Sequence, residues 1–422
     1  MARAPLVILF ITVFLDLLGF GLILPQLPYY AVRFGADAFA VGALMAVYSL
    51  AQMVASPFWG RISDQRGRRP VLIVSLLGSA LTSVCLGLVV DPNWWSQIGS
   101  SLPETTLGVT TALLALFAAR LLAGIATATI GVAQAYIADS TTPENRAKGM
   151  GIIGAAFGLG FVFGPALGGI LAPYGQGVPA FVAGGLALAN AGFAFFKLPE
   201  SLPVERRGEV VARGFSVARL LASAQIPGMG PLMVMYFLSI FAFATMEATF
   251  PLLTRDAFGF TEVENGYTFA YIGVLVVIMQ GGLVGRLARR FGETRLVVAG
   301  GILLAIGLSS MPFAPSLPWL LVALVPLCAG SGITNPSLTA LISLTATRST
   351  QGETLGTAQS LASLGRVLGP LWGGLAFSSF GARPSYVFAA AIMATMVLIA
   401  LKSQNSVENV MTDTNVEHPR QA

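Results

Sequence analysis

The chain has 422 residues, of which 55% are hydrophobic and only 10% are charged. A soluble globular domain carries about 25% charged residues, so this composition excludes a soluble enzyme or binding module. Twelve membrane-spanning helices of about 20 residues each would use about 240 residues. The composition therefore predicts an all-α membrane protein made mostly of spans and short loops.

Long apolar runs bounded by glycine, proline or charge predict twelve spans. Their approximate ranges are 6–30, 39–59, 70–90, 107–136, 149–172, 179–197, 231–254, 265–285, 296–313, 318–343, 354–377 and 384–401. The first run is longer than the apolar core of a signal peptide, about 7–15 residues, so we predict an uncleaved first span. The predicted organisation is an N-terminal six-helix bundle (1–197), a polar linker (198–230), a C-terminal six-helix bundle (231–402) and a polar tail (403–422).

The basic residues are distributed unequally between the two sides of the predicted spans. Nineteen of the 24 lie on the side of the N-terminus, and three, Arg33, Arg255 and Arg383, lie on the opposite side. An excess of Lys and Arg marks the cytoplasmic side of a membrane. We therefore predict that both termini, the linker and the tail are cytoplasmic, and that the basic pI does not indicate a nucleic-acid partner.

The two halves of the chain repeat each other. Gly160, Gly164, Pro165, Gly168 and Gly169 in the fifth span recur 205 positions later, and Gly60, Arg61 and Gly67 recur 225 positions later. Internal repeats of this kind are typical of transporters in which two bundles alternate about a midplane site. A channel or a receptor gives no particular reason for such a repeat.

Four segments resemble motifs of the major facilitator superfamily. Residues 60–70, GRISDQRGRRP, resemble its loop motif, and Arg120 to Gly124 match its fourth-span R-x-x-x-G motif. The run from Gly164 to Gly169 resembles the antiporter motif of the fifth span. Residues 15–28, LDLLGFGLILPQLP, resemble the first span of drug:proton antiporters, especially tetracycline-efflux proteins.

This resemblance implies a major facilitator fold of twelve transmembrane helices in two pseudo-symmetric six-helix bundles. It also implies proton-driven export of amphipathic small molecules or drugs across the cell inner membrane by a functional monomer. The partners would be a small-molecule substrate, protons and the lipid bilayer, with the proton gradient as energy source and no cofactor. Tetracycline exporters carry an acidic residue in the ninth span and a histidine in the eighth, and both are missing here. Tetracycline itself is therefore not the expected substrate.

Only four charged residues lie well inside predicted spans, namely Asp16, Arg120, Glu247 and Arg366. An ionisable group is costly to bury in a membrane and therefore indicates function. We predict that Asp16 binds and releases a proton during transport; the alternative is a structural acid that caps a neighbouring helix or pairs permanently with Arg120. Glu247 is a candidate second proton or cation site, and its alternative is a water-exposed carboxylate at the outer end of its span.

The two buried arginines have several possible roles. Arg120 is predicted to join proton coupling by favouring the charged form of a nearby carboxylate, and its alternative is packing between the fourth and first spans. Arg366 could pair with Glu247, face an anionic substrate group or lie between bundles. With these four charges, Gln134 and Asn335 complete the predicted substrate cavity. Further candidates for it are Gln52, Asn190, Gln280, Gln359, Phe20, Phe237 and Phe241.

The loop after the second span is a predicted gate. Asp64 can bond Arg68 and can face the positive N-terminus of the eleventh helix, near residues 352–355. Asp139 and Arg146 are expected to extend this charge network. The gating loop thus comprises Gly60, Arg61, Asp64, Gly67, Arg68, Asp139 and Arg146, and we expect it to stabilise the outward-open state.

The glycine-proline segment of the fifth span is predicted to pack closely rather than to carry chemistry. Gly160, Gly164 and Gly168 are four residues apart, which places a smooth stripe on one helix face. Pro165 removes one backbone hydrogen bond from that helix. The segment is expected to contribute to the seal between the two halves.

Other classes of function fit the sequence less well. The single histidine, His418, lies in the tail, so we expect no histidine metal site or histidine proton relay in the membrane. No nucleophile–base constellation, metal cluster or phosphate-binding loop indicates an enzyme. Export or exchange of an endogenous metabolite (a sugar, an amino acid or a lipid-like compound) is the alternative function, and a non-transporting membrane receptor ranks below it.

Overall fold

The computed structural model describes residues 3–94, 110–141, 146–208, 226–279, 283–346 and 351–417, and within these ranges it contains helices and no strand. The α-helices are α1 (Arg3–Ile23), α2 (Leu27–Arg33), α3 (Ala38–Arg66), α4 (Arg68–Val90), α5 (Thr111–Ala126), α6 (Ile130–Ser140), α7 (Arg146–Leu171), α8 (Val178–Lys197), α9 (Met229–Phe258), α10 (Glu262–Ile278), α11 (Val284–Phe291), α12 (Glu293–Ser310), α13 (Leu317–Thr345), α14 (Gln351–Phe380) and α15 (Ala382–Glu417). Each of the twelve predicted spans falls on one or two of these helices.

The helices present an apolar surface suited to lipid. Within the described ranges, nine helical segments are long and apolar enough to cross a membrane. Large apolar side chains on them point outward, with Leu81 65% exposed and Phe58 61% exposed. Helices satisfy their own backbone hydrogen bonds, which is the condition for crossing a bilayer. The structure thus agrees with a polytopic helical membrane protein.

Two of the differences from the predicted boundaries have a local cause in the sequence. The fourth span is interrupted between α5 and α6, where the Thr129 N–H donates to the Thr127 carbonyl at 2.8 Å. Threonine is β-branched and its hydroxyl competes for backbone partners, which weakens a helix at such a point. The last helix runs beyond the twelfth span to Glu417, because residues 403–417 contain no glycine or proline to end it.

The chain forms two compact units. The first comprises residues 1–214 together with 254–273, and the second comprises 215–253 together with 274–422. Residues 254–273 belong to the first unit through contacts such as the 3.1 Å hydrogen bond from the Tyr29 hydroxyl to the Phe260 carbonyl. A division at the linker 198–230 remains a prediction.

The repeated glycine-proline segments pack against corresponding helices, which are the first predicted span of each half of the chain. In the first unit, a Cβ added to Gly164 of α7 would lie 2.6 Å from the Cα of Gly21 on α1. In the second unit, a Cβ added to Gly369 of α14 would lie 2.6 Å from the Phe241 carbonyl oxygen on α9. The sequence repeat therefore corresponds to a repeated backbone-to-backbone contact, as expected for small residues at helix interfaces in lipid.

Candidate functional site

Asp16 lies on α1 in the first unit, where its side chain is half-buried. The side-chain hydroxyl of Ser79 on α4 lies close enough to interact with its carboxylate. Among the described residues, the ion pairs within 4.0 Å join Arg33 to Glu262 and Arg68 to both Asp64 and Asp139. The described ion pairs thus do not include the Asp16–Arg120 pair that was one alternative.

Arg120 lies on α5 with only 3% of its surface exposed. Its guanidinium carbon lies 4.1 Å from the ring centroid of Tyr48 on α3. The Arg120 Nε is buried and has no hydrogen-bond partner among the described residues. The negative face of an aromatic ring attracts a cation but does not neutralise its charge. This unit consequently holds a buried cation whose described contact is aromatic.

Tyr48 is a site residue that sequence reasoning missed. Its hydroxyl hydrogen-bonds the Thr127 hydroxyl at 2.8 Å, and its ring centroid lies 5.3 Å from that of Phe20. Gln52, one turn further along α3, donates to the Thr127 carbonyl at 3.3 Å. The break between α5 and α6 thus supplies the polar groups that hold Tyr48 beneath Arg120. A tyrosine four residues before a glutamine inside a span was the available signal.

The second unit holds the other two charged residues of the predicted spans. Glu247 on α9 and Arg366 on α14 are half-buried and interact electrostatically. Arg366 also donates through Nη2 to the Ser363 hydroxyl at 3.3 Å. Of the three roles considered for Arg366, this electrostatic interaction supports pairing with Glu247, which stays a prediction. Here, unlike at Arg120, an acid and a base act on each other.

The predicted uncharged cavity residues have different surroundings. Gln134 on α6 and Asn335 on α13 are half-buried, and Asn335 accepts a hydrogen bond from Ser239 at 3.0 Å. Asn190 is instead fully buried and donates to the Thr12 carbonyl at 2.8 Å, which ties α8 to α1. We therefore assign Asn190 to helix packing. Gln280 lies outside the described residues.

The predicted cavity residues are shared between the two units. Asp16, Arg120 and Gln134 belong to the first unit, and Glu247, Asn335 and Arg366 belong to the second.

The predicted gating loop forms a buried ion-pair cluster in the first unit. Arg68, 3% exposed, donates to Asp64 and to the Ser63 hydroxyl through Nη1, and to Asp139 through Nε at 3.0 Å. Asp64 and Arg68 lie on either side of Gly67, whose φ of +103° turns the chain from α3 into α4. Arg61 is exposed. Arg146 begins α7, and its side chain lies outside what the structure describes.

Glu200 is a second residue that sequence reasoning missed. Its carboxylate accepts hydrogen bonds from the backbone N–H groups of Arg68 at 2.8 Å and Arg69 at 3.3 Å. These groups are the unpaired donors at the N-terminus of α4, where a negative charge is stabilising. Glu200 follows α8, the sixth predicted span, and so connects the end of α8 to the start of α4, the third predicted span. Its position 132 residues away gave no local signal.

Across the residues that the structure describes, no group of three or more His, Cys, Asp or Glu side chains could hold a metal ion.

Comparison with known proteins shows the family of this chain. The Major Facilitator Superfamily profile matches residues 9–299 and 281–413. The class C tetracycline resistance protein of Escherichia coli is 31% identical over 87% of this chain and 88% of its own length. Major facilitator superfamily domain-containing protein 10 of Bos taurus is 31% identical over 91% of this chain and 90% of its own length.

A solved structure shows the same fold. The crystal structure of the human organic anion transporter MFSD10 has a TM-score of 0.70 and 26% identity, covering 94% of this chain and 99% of that chain. The family and its relatives are transporters and not enzymes. The chain therefore belongs to the major facilitator superfamily and is a multi-pass secondary transporter.

Proposed function

We propose that this transporter exports amphipathic small molecules by alternating access, in exchange for protons. The observation that carries the proposal is that each unit holds an acid and a base within its predicted spans: Asp16 and Arg120 in one unit, and Glu247 and Arg366 in the other. Ionisable groups at membrane depth mark substrate and proton pathways. Each unit would contribute its own polar groups to substrate binding.

Asp16 is the proposed main proton carrier. Its partner, the Ser79 hydroxyl, can donate a hydrogen bond to a carboxylate and can accept one from a protonated carboxyl group. Both protonation states of Asp16 can thus keep a hydrogen bond. A permanent ion pair would instead favour only the charged state.

Arg120 is the proposed electrostatic control of proton release. Resting on the Tyr48 ring, its guanidinium can turn toward a carboxylate without first breaking an ion pair with any described residue. An approaching carboxylate would be held in its charged form, which releases its proton. Tyr48 is then a positioning residue.

Glu247 is the proposed second proton site. Its side chain interacts electrostatically with Arg366, so binding of a proton or of a cationic substrate at Glu247 would compete with that interaction. The asymmetry between the units would let one acid respond to protons while the other responds to substrate.

The remaining predictions form one proposal about architecture. Two six-span bundles, 1–197 and 231–402, would move about the linker, with the Asp64–Arg68–Asp139 cluster stabilising one state of the cycle. The protein would work as a monomer in the inner membrane with both termini in the cytoplasm, as the distribution of basic residues supports. No cofactor would be needed beyond the proton gradient.

Exchange of an endogenous anionic metabolite is the second candidate function. The buried Arg120, with no ion pair to any described residue, would suit a carboxylate or phosphate on the substrate. The structurally similar human protein is named an organic anion transporter.

The decisive test uses purified protein in proteoliposomes with an imposed pH gradient. Proton flux is measured on addition of an amphipathic cation, ethidium, or an organic anion, carboxyfluorescein. We expect Asp16→Asn to abolish proton-driven transport but to keep substrate counterflow, because only the titratable group is removed. The control is Asp256→Asn, an exposed carboxylate at the end of α9, which should behave as wild type.

Unchanged proton-driven transport in Asp16→Asn would contradict the role of Asp16. Proton flux with carboxyfluorescein but not with ethidium would favour the second candidate function.

A further inference from the structure

The short helix α11 carries a basic face. Arg286, Arg289 and Arg290 are all exposed, and at 100° per residue they fall within an arc of about 100° on the helix. The guanidinium carbon of Arg290 lies 5.4 Å from the ring centroid of Phe291. Three cations are therefore presented together on one side of α11.

The neighbouring face of α11 is apolar and only partly covered. Leu283 is 40% exposed and Phe291 is 44% exposed, while Leu287 is half-buried. On the same helical wheel these three residues lie within an arc of about 80°, adjacent to the basic arc. Such an amphipathic helix, basic on one face and apolar on the other, is typical of helices that lie at a membrane interface.

No acidic side chain of the described residues neutralises this basic face. The nearest acid along the chain, Glu293, forms no ion pair within 4.0 Å with a described residue. Arg295, two residues later, is also exposed. By contrast, the aligned positions of the first repeat contain Asp64 and form the buried Arg68 cluster. The described part of the second copy therefore shows no ion-pair cluster like that of Arg68 in the first.

The location of α11 restricts what could bind it. The helix connects α10 to α12, which are the eighth and ninth predicted spans, so both of its ends continue into the membrane. Exposed leucine and phenylalanine beside the arginines suit the boundary between acyl chains and headgroups. Clusters of arginine next to a span are attracted to anionic lipids.

We propose that the basic face of α11 binds the phosphate headgroups of anionic lipids in the adjoining leaflet. The guanidinium groups would hydrogen-bond the phosphate oxygens, while Leu283 and Phe291 lie against the acyl chains. Positive charge alone orients a membrane protein, but it does not require exposed apolar side chains on the same helix. This site is independent of the substrate and the coupling ion.

The test titrates dioleoylphosphatidylglycerol into the full-length protein in a neutral detergent and follows the unfolding temperature. Dioleoylphosphatidylcholine, which has no net charge, is titrated in parallel. We expect half-saturation at a lower concentration of the anionic lipid, and weaker binding at high salt because the interaction is electrostatic. Equal effects of the two lipids would overturn the proposal.

Variants locate the site. The triple substitution R286Q/R289Q/R290Q should raise the half-saturating concentration of the anionic lipid about 100-fold, from the typical contribution of three basic residues. R286K/R289K/R290K keeps the charge and should bind within a few-fold of wild type. R255Q/R383Q removes exposed arginines elsewhere and should leave binding unchanged. Wild-type binding by the glutamine variant, or a loss in R255Q/R383Q as large as in that variant, would refute this location.

Discussion

The two copies of the repeated loop, residues 60–70 and 285–295, share a backbone turn but not a charge network. In each copy a helix ends at a glycine with positive φ, Gly67 at +103° and Gly292 at +79°, and the next helix starts at once. In the first copy Arg68 is buried between two carboxylates. In the second copy, 225 positions later, Glu293 takes the place of Arg68, and the neighbouring arginines are exposed.

This difference teaches that duplication preserved the geometry of the turn while the charges diverged. In the first copy an acid, Asp64, stands four residues before a base, Arg68. At the aligned positions of the second copy a base, Arg289, stands four residues before an acid, Glu293. Within the part of the chain that the structure describes, the first copy receives hydrogen-bonding acids from distant elements, Asp139 and Glu200, and the second copy receives none. The first loop is therefore tied to the rest of its unit, and the second is open to other partners.

Among these substitutions, removing Arg68 should lower the free energy of unfolding the most. Arg68→Ala leaves Asp64 buried without its countercharge, which should lower the free energy of unfolding by about 3–5 kcal/mol. Arg289→Ala, at the aligned position of Asp64 in the second copy, should change it by no more than about 0.5 kcal/mol because the side chain is exposed. Denaturant unfolding in mixed micelles measures both.

Arg68→Lys serves as the matched control, since a single ammonium group cannot reproduce the planar fork that reaches both carboxylates. It should lie between wild type and the alanine variant. Equal losses for Arg68→Ala and Arg289→Ala would break the comparison.

The two glycines offer a test at aligned positions. Gly67→Ala combines a left-handed backbone conformation with a collision between the new Cβ and the Glu200 carboxylate, so a destabilisation of about 2–4 kcal/mol is expected. Gly292→Ala has the same backbone cost, about 1–2 kcal/mol, but its Cβ would meet nothing within 4 Å. Unfolding of the two variants side by side gives the difference directly. If Gly292→Ala lowered the free energy of unfolding more than Gly67→Ala, the contact between Gly67 and Glu200 would not explain the difference between the two loops.

The smallest effect concerns the acid at each helix start. Glu200→Gln should destabilise by about 0.5–2 kcal/mol, because a charged acceptor for the first N–H groups of α4 is lost. Glu293→Gln should cost less, about 0.3 kcal/mol, since Glu293 acts on α12 only through the helix dipole. Hydrogen exchange of the first turns of α4 and α12 reports these changes locally. If Glu293→Gln accelerated exchange at α12 more than Glu200→Gln accelerated it at α4, the larger role assigned to Glu200 would be wrong.

The helical spans and their close glycine contacts could be predicted from the sequence, because the patterns that indicate them are local and periodic. Apolar run length places the twelve spans, and glycines spaced by four indicate the close contacts made by α7 and α14. The Asp64–Arg68 pair is also local, since the two residues are four positions apart. Such features need no knowledge of which helices are neighbours.

The rest depends on tertiary neighbours that no local pattern specifies. Tyr48 meets Arg120 from another helix, and Glu200 reaches the start of α4 across 132 residues. The assignment of residues 254–273 to the first unit likewise reflects packing and not composition. Asn190 was a candidate for the cavity but contacts the Thr12 carbonyl on α1, because an amide inside a span fits a cavity and a helix contact equally well by sequence alone.

The close contact between α1 and α7 has a consequence for biosynthesis. Gly21 and Gly164 touch through their backbones but are separated by about 140 residues, which take about 7–28 s to synthesise at typical translation rates. The first span must therefore wait in the membrane without its partner while three further spans are inserted. Mutations that enlarge Gly21 would be expected to act at this stage, by letting another helix dock on α1 before α7 arrives.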